Sequence, residues 1–202
     1  NIDAYTAQSS NPFAQSSSST ATSLGSGIIL SKDGYILTNY HVVEDGQRFV
    51  VVANATEYEG HIVGTDPSSD LAVLKVDATD LTPIEIGSSS DLVVGEWVMA
   101  VGSPFGLEQS VSTGIISAVS RSTAMASTNS TTVYTNMIQT DAAINPGNSG
   151  GALVDADGKL IGVNTLIASE SGSSSGVGFA IPVDYACLLY TSPSPRDGLL
   201  SR

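Results

Sequence analysis

A serine framed by glycines is the residue of this 202-residue chain that is best placed to do chemistry. Ser149 follows Gly147-Asn148 and precedes Gly150-Gly151, and an apolar run begins directly after them. Glycine lets the backbone turn sharply and lets a substrate approach closely. Such a turn can present a serine hydroxyl beside outward-pointing backbone N–H groups, as a nucleophile with an oxyanion hole requires. Because glycine and serine also fill ordinary turns, other parts of the chain must decide between the two interpretations.

A serine hydroxyl is a poor nucleophile at neutral pH and needs a neighbouring base. The chain has two histidines, His41 and His61. His61 lies in an alternating run and is best explained as a strand side chain. His41 follows a predicted strand that ends at Thr38, where the chain leaves the sheet and functional side chains are common. We therefore predict that His41 is the base for Ser149.

The base in turn needs an acid that fixes its tautomer. Three candidates, Asp66, Asp70 and Asp77, flank one predicted buried strand. Asp70 directly precedes the strand, where a short carboxylate can be held partly buried. Asp66 is better explained as a turn residue, and Asp77 ends the strand on the solvent side. The resulting order of His41, Asp70 and Ser149 is used by chymotrypsin-like enzymes, whereas subtilisins and α/β-hydrolases use other orders.

The elements that position these residues are predicted to be β-strands. The apolar segments are short and rich in Val and Ile, and Gly and Ser are abundant, which favours strands joined by tight turns over helices. The Ser/Thr-rich stretch 7–23 predicts a flexible exposed loop. The polar stretch 77–91 predicts a boundary between two halves, and stretches 120–132 and 168–176 predict surface loops.

Composition excludes several classes of function. The net charge of −13 repels nucleic acid and anionic membranes, so neither is an expected partner. No apolar run approaches the length of a membrane span. Two histidines and a lone cysteine argue against a metal centre and an internal disulfide, so we expect no metal and no cofactor.

Three sequence blocks, in this order, resemble the signature blocks of the HtrA/Deg family of serine proteases. They are TNYHVV at 38–43, DPSSDLAVLK at 66–75 and QTDAAINPGNSGG at 139–151. Segments 102–106 and 178–182 are similar to further segments of this family. The resemblance extends over nearly the whole chain up to about Ala186.

This resemblance implies an all-β fold, a chymotrypsin/trypsin-like double β-barrel with the active site in the cleft between the barrels. The protease domain would span 1–186, with a first barrel at about 1–90 and a second at about 91–186. The resemblance further implies that the N–H groups of Gly147 and Ser149 form the oxyanion hole, while Asn148 shapes the turn. The implied reaction is peptide hydrolysis through an acyl-enzyme.

The residues shortly before the nucleophile floor the primary specificity pocket in chymotrypsin-like enzymes. Here they are Ala143 and Ile144, and Phe179 and Leu166 are expected to add apolar wall. Since no acid lies at this floor, a bound Lys or Arg would be buried unpaired. We therefore expect cleavage after small or medium aliphatic residues such as Val, Ala or Ile.

The expected substrates are unfolded or misfolded polypeptides outside the cytoplasm, in the periplasm or at the cell surface. The alternative function is a catalytically silent chaperone or binding module that keeps the protease fold, and a resting state with a distorted oxyanion hole is a third. The chain is expected to be truncated at both ends. By resemblance, the whole protein would be a membrane-anchored or secreted homotrimer that can carry a PDZ domain.

The last segment, 187–202, differs in composition from the rest of the chain and contains two prolines. Its first part matches the translation of a transposase-type sequencing-library adapter. We therefore predict that 187–202 is a non-native tail and that the natural sequence stops near Ala186.

Overall fold

Short runs of Val, Ile and Leu form the strands of an all-β structure. The computed structural model describes residues 1–6, 21–103, 110–126, 131–167 and 176–191, and this part of the chain contains thirteen strands and two helices. In chain order they are β1 (Ile2–Tyr5), β2 (Ala21–Gly25), β3 (Ile28–Ile29), β4 (Tyr35–Asn39), α1 (Tyr40–Val43), β5 (Arg48–Ala53), β6 (Thr56–Asp66), β7 (Leu71–Val76), β8 (Trp97–Gly102), β9 (Ser110–Ala126), β10 (Thr131–Thr140), β11 (Ala152–Val154), β12 (Leu160–Ile167), β13 (Gly178–Pro182) and α2 (Val183–Thr191).

Strands β1 to β7 form one antiparallel sheet in the first half of the chain. Its order is β2-β1-β5-β6-β7-β4-β3. The sheet curls around a core in which β4 and β7 are paired with Ile36 opposite Leu74. Ile2, Val42 and Phe49 are buried in the same cluster, so α1 and the outer strands close over this core.

Strands β8 to β13 form a closed antiparallel barrel in the second half, in the order β10-β13-β12-β11-β8-β9. The sequence of β8 alternates between buried and more exposed positions, as expected of a strand with one face towards a core. Val98 and Ala100 of β8 point inward, where they join Ile116, Leu153 and Ile161. This barrel therefore has its own apolar core.

A third apolar cluster joins the two halves. Leu37 and Leu71 of the first sheet pack in one cluster with Val154, Leu160 and Phe179 of the barrel. All five side chains are less than a tenth exposed, so the halves are held against each other by apolar burial. The predicted all-β arrangement of two units is confirmed.

Two predicted loops are shorter than expected. The stretch 120–132 was expected to be a loop, but β9 runs through Ala126 and β10 begins at Thr131, because the two strands pair as a long hairpin. Likewise β2 already begins at Ala21, within the predicted loop 7–23. The remaining residues of these two stretches, and 168–175, lie outside the described residues.

Helix α2 follows the barrel and crosses the predicted boundary of the tail. Cys187 packs against the edge of the apolar cluster between the halves, and burial raises the pKa of its thiol above 9.0, with the charge of Asp184 adding to the effect. Residues 192–202 lie outside the described part, and the non-native origin of 187–202 stays a prediction.

No helix in the described ranges is long and apolar enough to cross a bilayer.

Candidate functional site

Strand pairing in the first sheet brings His41 beside Asp70. Strands β4 and β7 are antiparallel, with Asn39 opposite Leu71. The residues that follow β4 therefore lie next to the residue that precedes β7. Helix α1 starts at Tyr40, whose amide N–H donates to the carbonyl oxygen of Asp70 at 3.0 Å, and this turn directs His41 towards the carboxylate.

Two hydrogen bonds connect His41 to the carboxylate of Asp70. The amide N–H of His41 donates to Oδ1 at 2.9 Å, and its ring Nδ1 lies 2.8 Å from Oδ2. Asp70 is 2 % exposed, whereas the side chain of His41 is 37 % exposed. An ionised carboxylate only accepts hydrogen bonds, so Nδ1 carries the proton in this pair. The other ring nitrogen, Nε2, is then the basic atom of a neutral imidazole.

Asp70 itself has an uncommon backbone conformation, with φ of 56°. Asp is among the few non-glycine residues that adopt this left-handed region with some frequency. The conformation turns the chain sharply between the end of β6 and the start of β7. It thereby leaves the carboxylate buried at the base of α1 instead of continuing the pleat of β7.

Ser149 follows a tight turn formed by residues 145–148. The amide N–H of Asn148 donates to the carbonyl oxygen of Asn145 at 2.9 Å, which closes a four-residue turn. Pro146 occupies its second position, and Gly147 occupies its third with φ of 97°. These are the properties of a type II turn, in which the third residue needs positive φ and is usually glycine.

Neither Gly147 nor Ser149 donates its amide N–H to an acceptor within the described part of the chain. The neighbouring amides are used differently: that of Asn148 closes the turn, and that of Gly150 donates to the carbonyl oxygen of Asn164 at 2.8 Å. Two amides on either side of Asn148 are therefore available to an acceptor that the protein does not supply. These are the two N–H groups that the family resemblance implies for an oxyanion hole.

Thr165, which is not among the residues predicted from the sequence, links the acid to the nucleophile. Its hydroxyl donates to Oδ2 of Asp70 at 3.3 Å, and its carbonyl oxygen accepts a 3.3 Å hydrogen bond from Oγ of Ser149. The amide group of Asn39 donates both to the hydroxyl of Thr165 and to the carbonyl oxygen of Asp70. Asp70, Thr165 and Ser149 thus form a continuous set of contacts across the two halves.

The local sequence gives little signal for this role. Thr165 is one β-branched residue in a strand, where threonine is common. Only the structure distinguishes Thr165 from other strand residues: the pairing of β12 with β13 is irregular there, and its register shifts between Asn164 and Leu166. Asn39 lies in the block that contains His41, so its neighbourhood, but not its contacts, could be read from the sequence.

The predicted pocket residues are distributed over different surroundings. Ile144 is 2 % exposed and packs in the core of the second barrel, whereas Phe179 packs in the cluster between the halves. Ala143 is half-buried, and its carbonyl oxygen accepts a hydrogen bond from the hydroxyl of Ser112 at 2.7 Å. The side chain of Leu166 lies outside the described part. Their role in a shared pocket stays a prediction.

The rejected candidates have surroundings different from those of Asp70. His61 is exposed on β6, opposite Lys75, and Asp77 is exposed after β7. Asp66 accepts hydrogen bonds from the turn that precedes Asp70. Burial alone would raise the pKa of Asp66, but hydrogen bonds from Ser68 and Ser69 outweigh it and hold this pKa below 3.8.

The described residues contain no group of three His, Cys, Asp or Glu side chains arranged to hold a metal ion. A cavity of about 1060 Å³ is lined by residues of β3, β5, β8 and the 82–84 segment and also by Ser26, Ser103 and Gly151, but by none of His41, Asp70 and Ser149.

Comparisons with known proteins agree with this geometry. Residues 25–163, more than half of the chain, match the family model of the trypsin-like peptidase domain. A probable periplasmic serine endoprotease of Halomonas elongata, described as DegP-like, is 52 % identical over 192 residues, which cover 95 % of this chain and 39 % of that protein. A protein of Pseudomonas fulva with the same description is 52 % identical over 167 residues, which cover 82 % of this chain and 34 % of that protein. The chain thus spans about two fifths or less of the length of these relatives.

Solved structures show the same fold. The HtrA-type protease AlgW with tripeptide superimposes with a TM-score of 0.80 at 43 % identity, over 97 % of this chain and 60 % of that chain. The serine endoprotease from Yersinia pestis superimposes with a TM-score of 0.72 at 40 % identity, over 94 % of this chain and 60 % of that chain. These likenesses confirm the predicted chymotrypsin/trypsin-like double β-barrel.

Proposed function

The chain belongs to the HtrA/Deg group of the trypsin-like peptidase family, and from this premise we propose that it is a serine endopeptidase. Ser149 is the nucleophile, His41 the general base and acid, and Asp70 the residue that orients His41. The observation that carries the proposal is the contact of Asp70 with both the ring and the amide of His41, linked through Thr165 to Ser149.

The first half of the reaction forms an acyl-enzyme. Oγ of Ser149 bonds to the carbonyl carbon of the substrate while Nε2 of His41 takes the hydroxyl proton, and the carbonyl π electrons move to oxygen. When the tetrahedral intermediate collapses, the C–N bond breaks, and the imidazolium of His41 gives its proton to the departing amine. Asp70 stays ionised and stabilises the imidazolium.

The second half repeats these steps with water. His41 takes a proton from a water molecule whose oxygen attacks the ester carbon, and Oγ of Ser149 leaves with the proton that His41 returns. The carboxylic acid product is thereby released, and the serine hydroxyl is regenerated. In the resting geometry the hydroxyl of Ser149 donates to the carbonyl oxygen of Thr165.

The negative charge on the substrate oxygen is stabilised by the amides of Gly147 and Ser149. Two observations support this role: both amides lack acceptors in the described part of the chain, and Gly147 has the positive φ of a type II turn. In a type I turn, ψ of Pro146 and φ of Gly147 would differ from their type II values by roughly 150–170°. The peptide between the two residues would then be flipped, and the N–H of Gly147 would point to the other side of the turn. The type II geometry favours a competent enzyme over a silent protease-fold chaperone.

Hydrolysis of an unfolded protein tests the catalytic proposal. Casein degradation and fluorophosphonate labelling are measured for the wild type and for Ser149→Ala, with Ser90→Ala as a control at an exposed serine. We expect the wild type and Ser90→Ala to cleave and to be labelled, and Ser149→Ala to lose at least about 10⁴-fold in kcat. Equal cleavage by the wild type and Ser149→Ala would contradict the proposal, and no cleavage or labelling of either would favour the silent chaperone.

For specificity, we propose cleavage after small or medium aliphatic residues, with Ala143, Ile144, Leu166 and Phe179 around the side chain. The support is the apolar character of these residues and the absence of an acid among them, since a buried cation would lack a partner. A peptide-library digest analysed by mass spectrometry tests this preference. Predominant cleavage after Lys or Arg would overturn it.

The natural substrates are proposed to be unfolded polypeptides outside the cytoplasm, because the relatives are named periplasmic endoproteases. We extend the family resemblance to a homotrimeric whole protein, membrane-anchored or secreted, that can carry a PDZ domain. Mass measurement and fractionation of the whole gene product test these points.

For this chain we propose a protease domain at 1–186 and an adapter-derived tail at 187–202, which re-sequencing of the source DNA would check.

A further inference from the structure

Ser26 belongs to the first half of the chain, but two of its hydrogen bonds reach the turn that carries Ser149. Its amide N–H donates to the carbonyl oxygen of Ser149 at 2.8 Å, and its hydroxyl donates to the carbonyl oxygen of Gly147 at 2.7 Å. Ser26 is 3 % exposed, so water has little access to replace these bonds. One residue therefore fixes the two carbonyl groups on either side of Asn148.

The orientation of Ser26 is itself fixed by two donors. The amide N–H of Ser103 donates to Oγ of Ser26 at 2.7 Å, and the hydroxyl of Thr38 donates to its carbonyl oxygen at 2.8 Å. A serine hydroxyl has a single hydrogen to donate. Since Ser103 occupies an acceptor position of that hydroxyl, its hydrogen is directed to Gly147.

Thr38 connects this arrangement to the base. It lies in β4, the strand that leads directly into α1 and His41, and it is fully buried. Hydrogen bonds therefore run from β4, the strand that leads into His41, through Ser26 to the turn that carries Ser149. The two proposed reacting groups come from different halves, and Ser26 is hydrogen-bonded both to β4 and to the turn of Ser149.

We propose that Ser26 is a positioning residue that sets the location of Ser149 relative to His41, an inference that rests on the proposed serine-endopeptidase function. The base and the nucleophile must lie within about 3–3.5 Å with aligned geometry for proton transfer, and a misplacement of about 1 Å can lower the rate by about 100-fold. Ser26 itself touches neither the reacting bond nor the transferred proton.

Kinetic constants of Ser26→Ala test the proposal. We expect kcat per active site to fall about 10- to 100-fold with KM changed by less than about threefold, because binding contacts are retained while the nucleophile is misplaced. The rate of fluorophosphonate labelling of Ser149 should fall in parallel. Unchanged kcat and labelling rate in Ser26→Ala would overturn the role.

A matched pair at Thr38 and a stability control complete the kinetic test. Thr38→Val removes the hydroxyl that orients Ser26 at nearly constant volume and should lower kcat severalfold, while Thr38→Ser keeps the hydroxyl and should restore it. Ile36→Val trims a buried side chain of the same strand and should lower Tm with kcat per folded molecule unchanged. A loss of kcat in Ile36→Val equal to that in Ser26→Ala would show a purely structural effect and contradict the proposal.

A structural measurement separates this proposal from the catalytic one. If the wild type neither cleaves nor labels, the serine-endopeptidase proposal fails, but crystal structures of the wild type and Ser26→Ala still report the distance between Nε2 of His41 and Oγ of Ser149. Positioning by Ser26 predicts a change of about 0.5 Å or more in that distance or in the turn. An unchanged turn and distance would overturn it.

Discussion

His41 and Asp70 are held to each other through the side-chain carboxylate of Asp70, whereas the turn that carries Ser149 is held through its backbone carbonyl groups, which accept hydrogen bonds from Ser26. The carboxylate of Asp70 accepts hydrogen bonds from His41 and Thr165, so the acid–base pair depends on which side chains are present. The nucleophile turn depends instead on backbone conformation and close approach, as the positive φ of Gly147 and Gly150 shows. Substitutions that change chemistry should therefore disrupt the first region, and substitutions that add bulk should disrupt the second.

Asp70→Asn should have the largest effect, because it keeps the shape of the acid but removes its charge and favours the wrong tautomer of His41. We expect kcat for a peptide substrate to fall about 10⁴-fold while the protein stays folded. Asp77→Asn, at the exposed other end of β7, should leave kcat unchanged. A loss below about tenfold in Asp70→Asn would show that the pair is not used in catalysis.

Gly150→Ala should disrupt the nucleophile turn by added bulk, in addition to the backbone strain of its positive φ. A Cβ at this position would lie 2.3 Å from both the carbonyl oxygen of Ser26 and the hydroxyl oxygen of Thr38. We expect the turn to move and kcat to fall about 100-fold, with a lower Tm.

Gly158→Ala is the control for Gly150→Ala. Gly158 has nearly the same φ, 79° against 80°, but a Cβ there would meet no atom within 4 Å. It should lower Tm through backbone strain and leave kcat unchanged. Equal kinetic effects of the two substitutions would mean that close approach of the turn to Ser26 is unimportant.

Thr165→Val should have an intermediate effect, since it removes one hydrogen bond to Asp70 but leaves the carbonyl group that faces Ser149. Removing a partner from a buried carboxylate costs about 1–3 kcal/mol, so we expect kcat to fall about tenfold. Thr165→Ser should restore most of the activity because it retains the hydroxyl. Steady-state kinetics of both variants decide this, and a silent Thr165→Val would contradict the proposed link.

Asp66→Asn should give the smallest effect and no change in kcat. The pKa of Asp66 is held below 3.8 in the folded state, so its contribution to stability is present above that pH and is lost as the pH falls through the folded pKa. Because Asp66 is largely solvated, we expect its ionised carboxylate to contribute about 0.5 kcal/mol or less to the free energy of unfolding at pH 5. This contribution should vanish near pH 2. Urea unfolding of wild type and Asp66→Asn at these two pH values measures it.

The two regions also differ in how well the sequence predicts them. The glycine-framed serine, the histidine after a strand and the acid before a strand are local patterns. The structure joins His41 to Asp70 directly and links Ser149 to Asp70 through Thr165. The strands of the all-β fold could also be predicted, because short Val/Ile-rich runs between turn residues have few alternatives. The exact extent of β9 and β10 could not, since pairing between two polar strands overrides the loop-like composition of 120–126.

Thr165 and Ser26 could not be identified from the sequence for a different reason. Each is an ordinary polar residue in or beside a strand, and its role depends on partners far along the chain. The hydroxyl of Ser26 bonds to a residue 121 positions away, and that of Thr165 to one 95 positions away. Such contacts are decided by how the two halves pack, which local patterns do not specify.

The 121-residue span between Ser26 and Gly147 has a consequence for the newly made chain. During synthesis the N-terminal half leaves the ribosome first, so His41 and Asp70 can pair before Ser149 has been translated. Long-range contacts form late because the intervening loop must be closed first. The proposed peptidase site can therefore be complete only after the second barrel has been made.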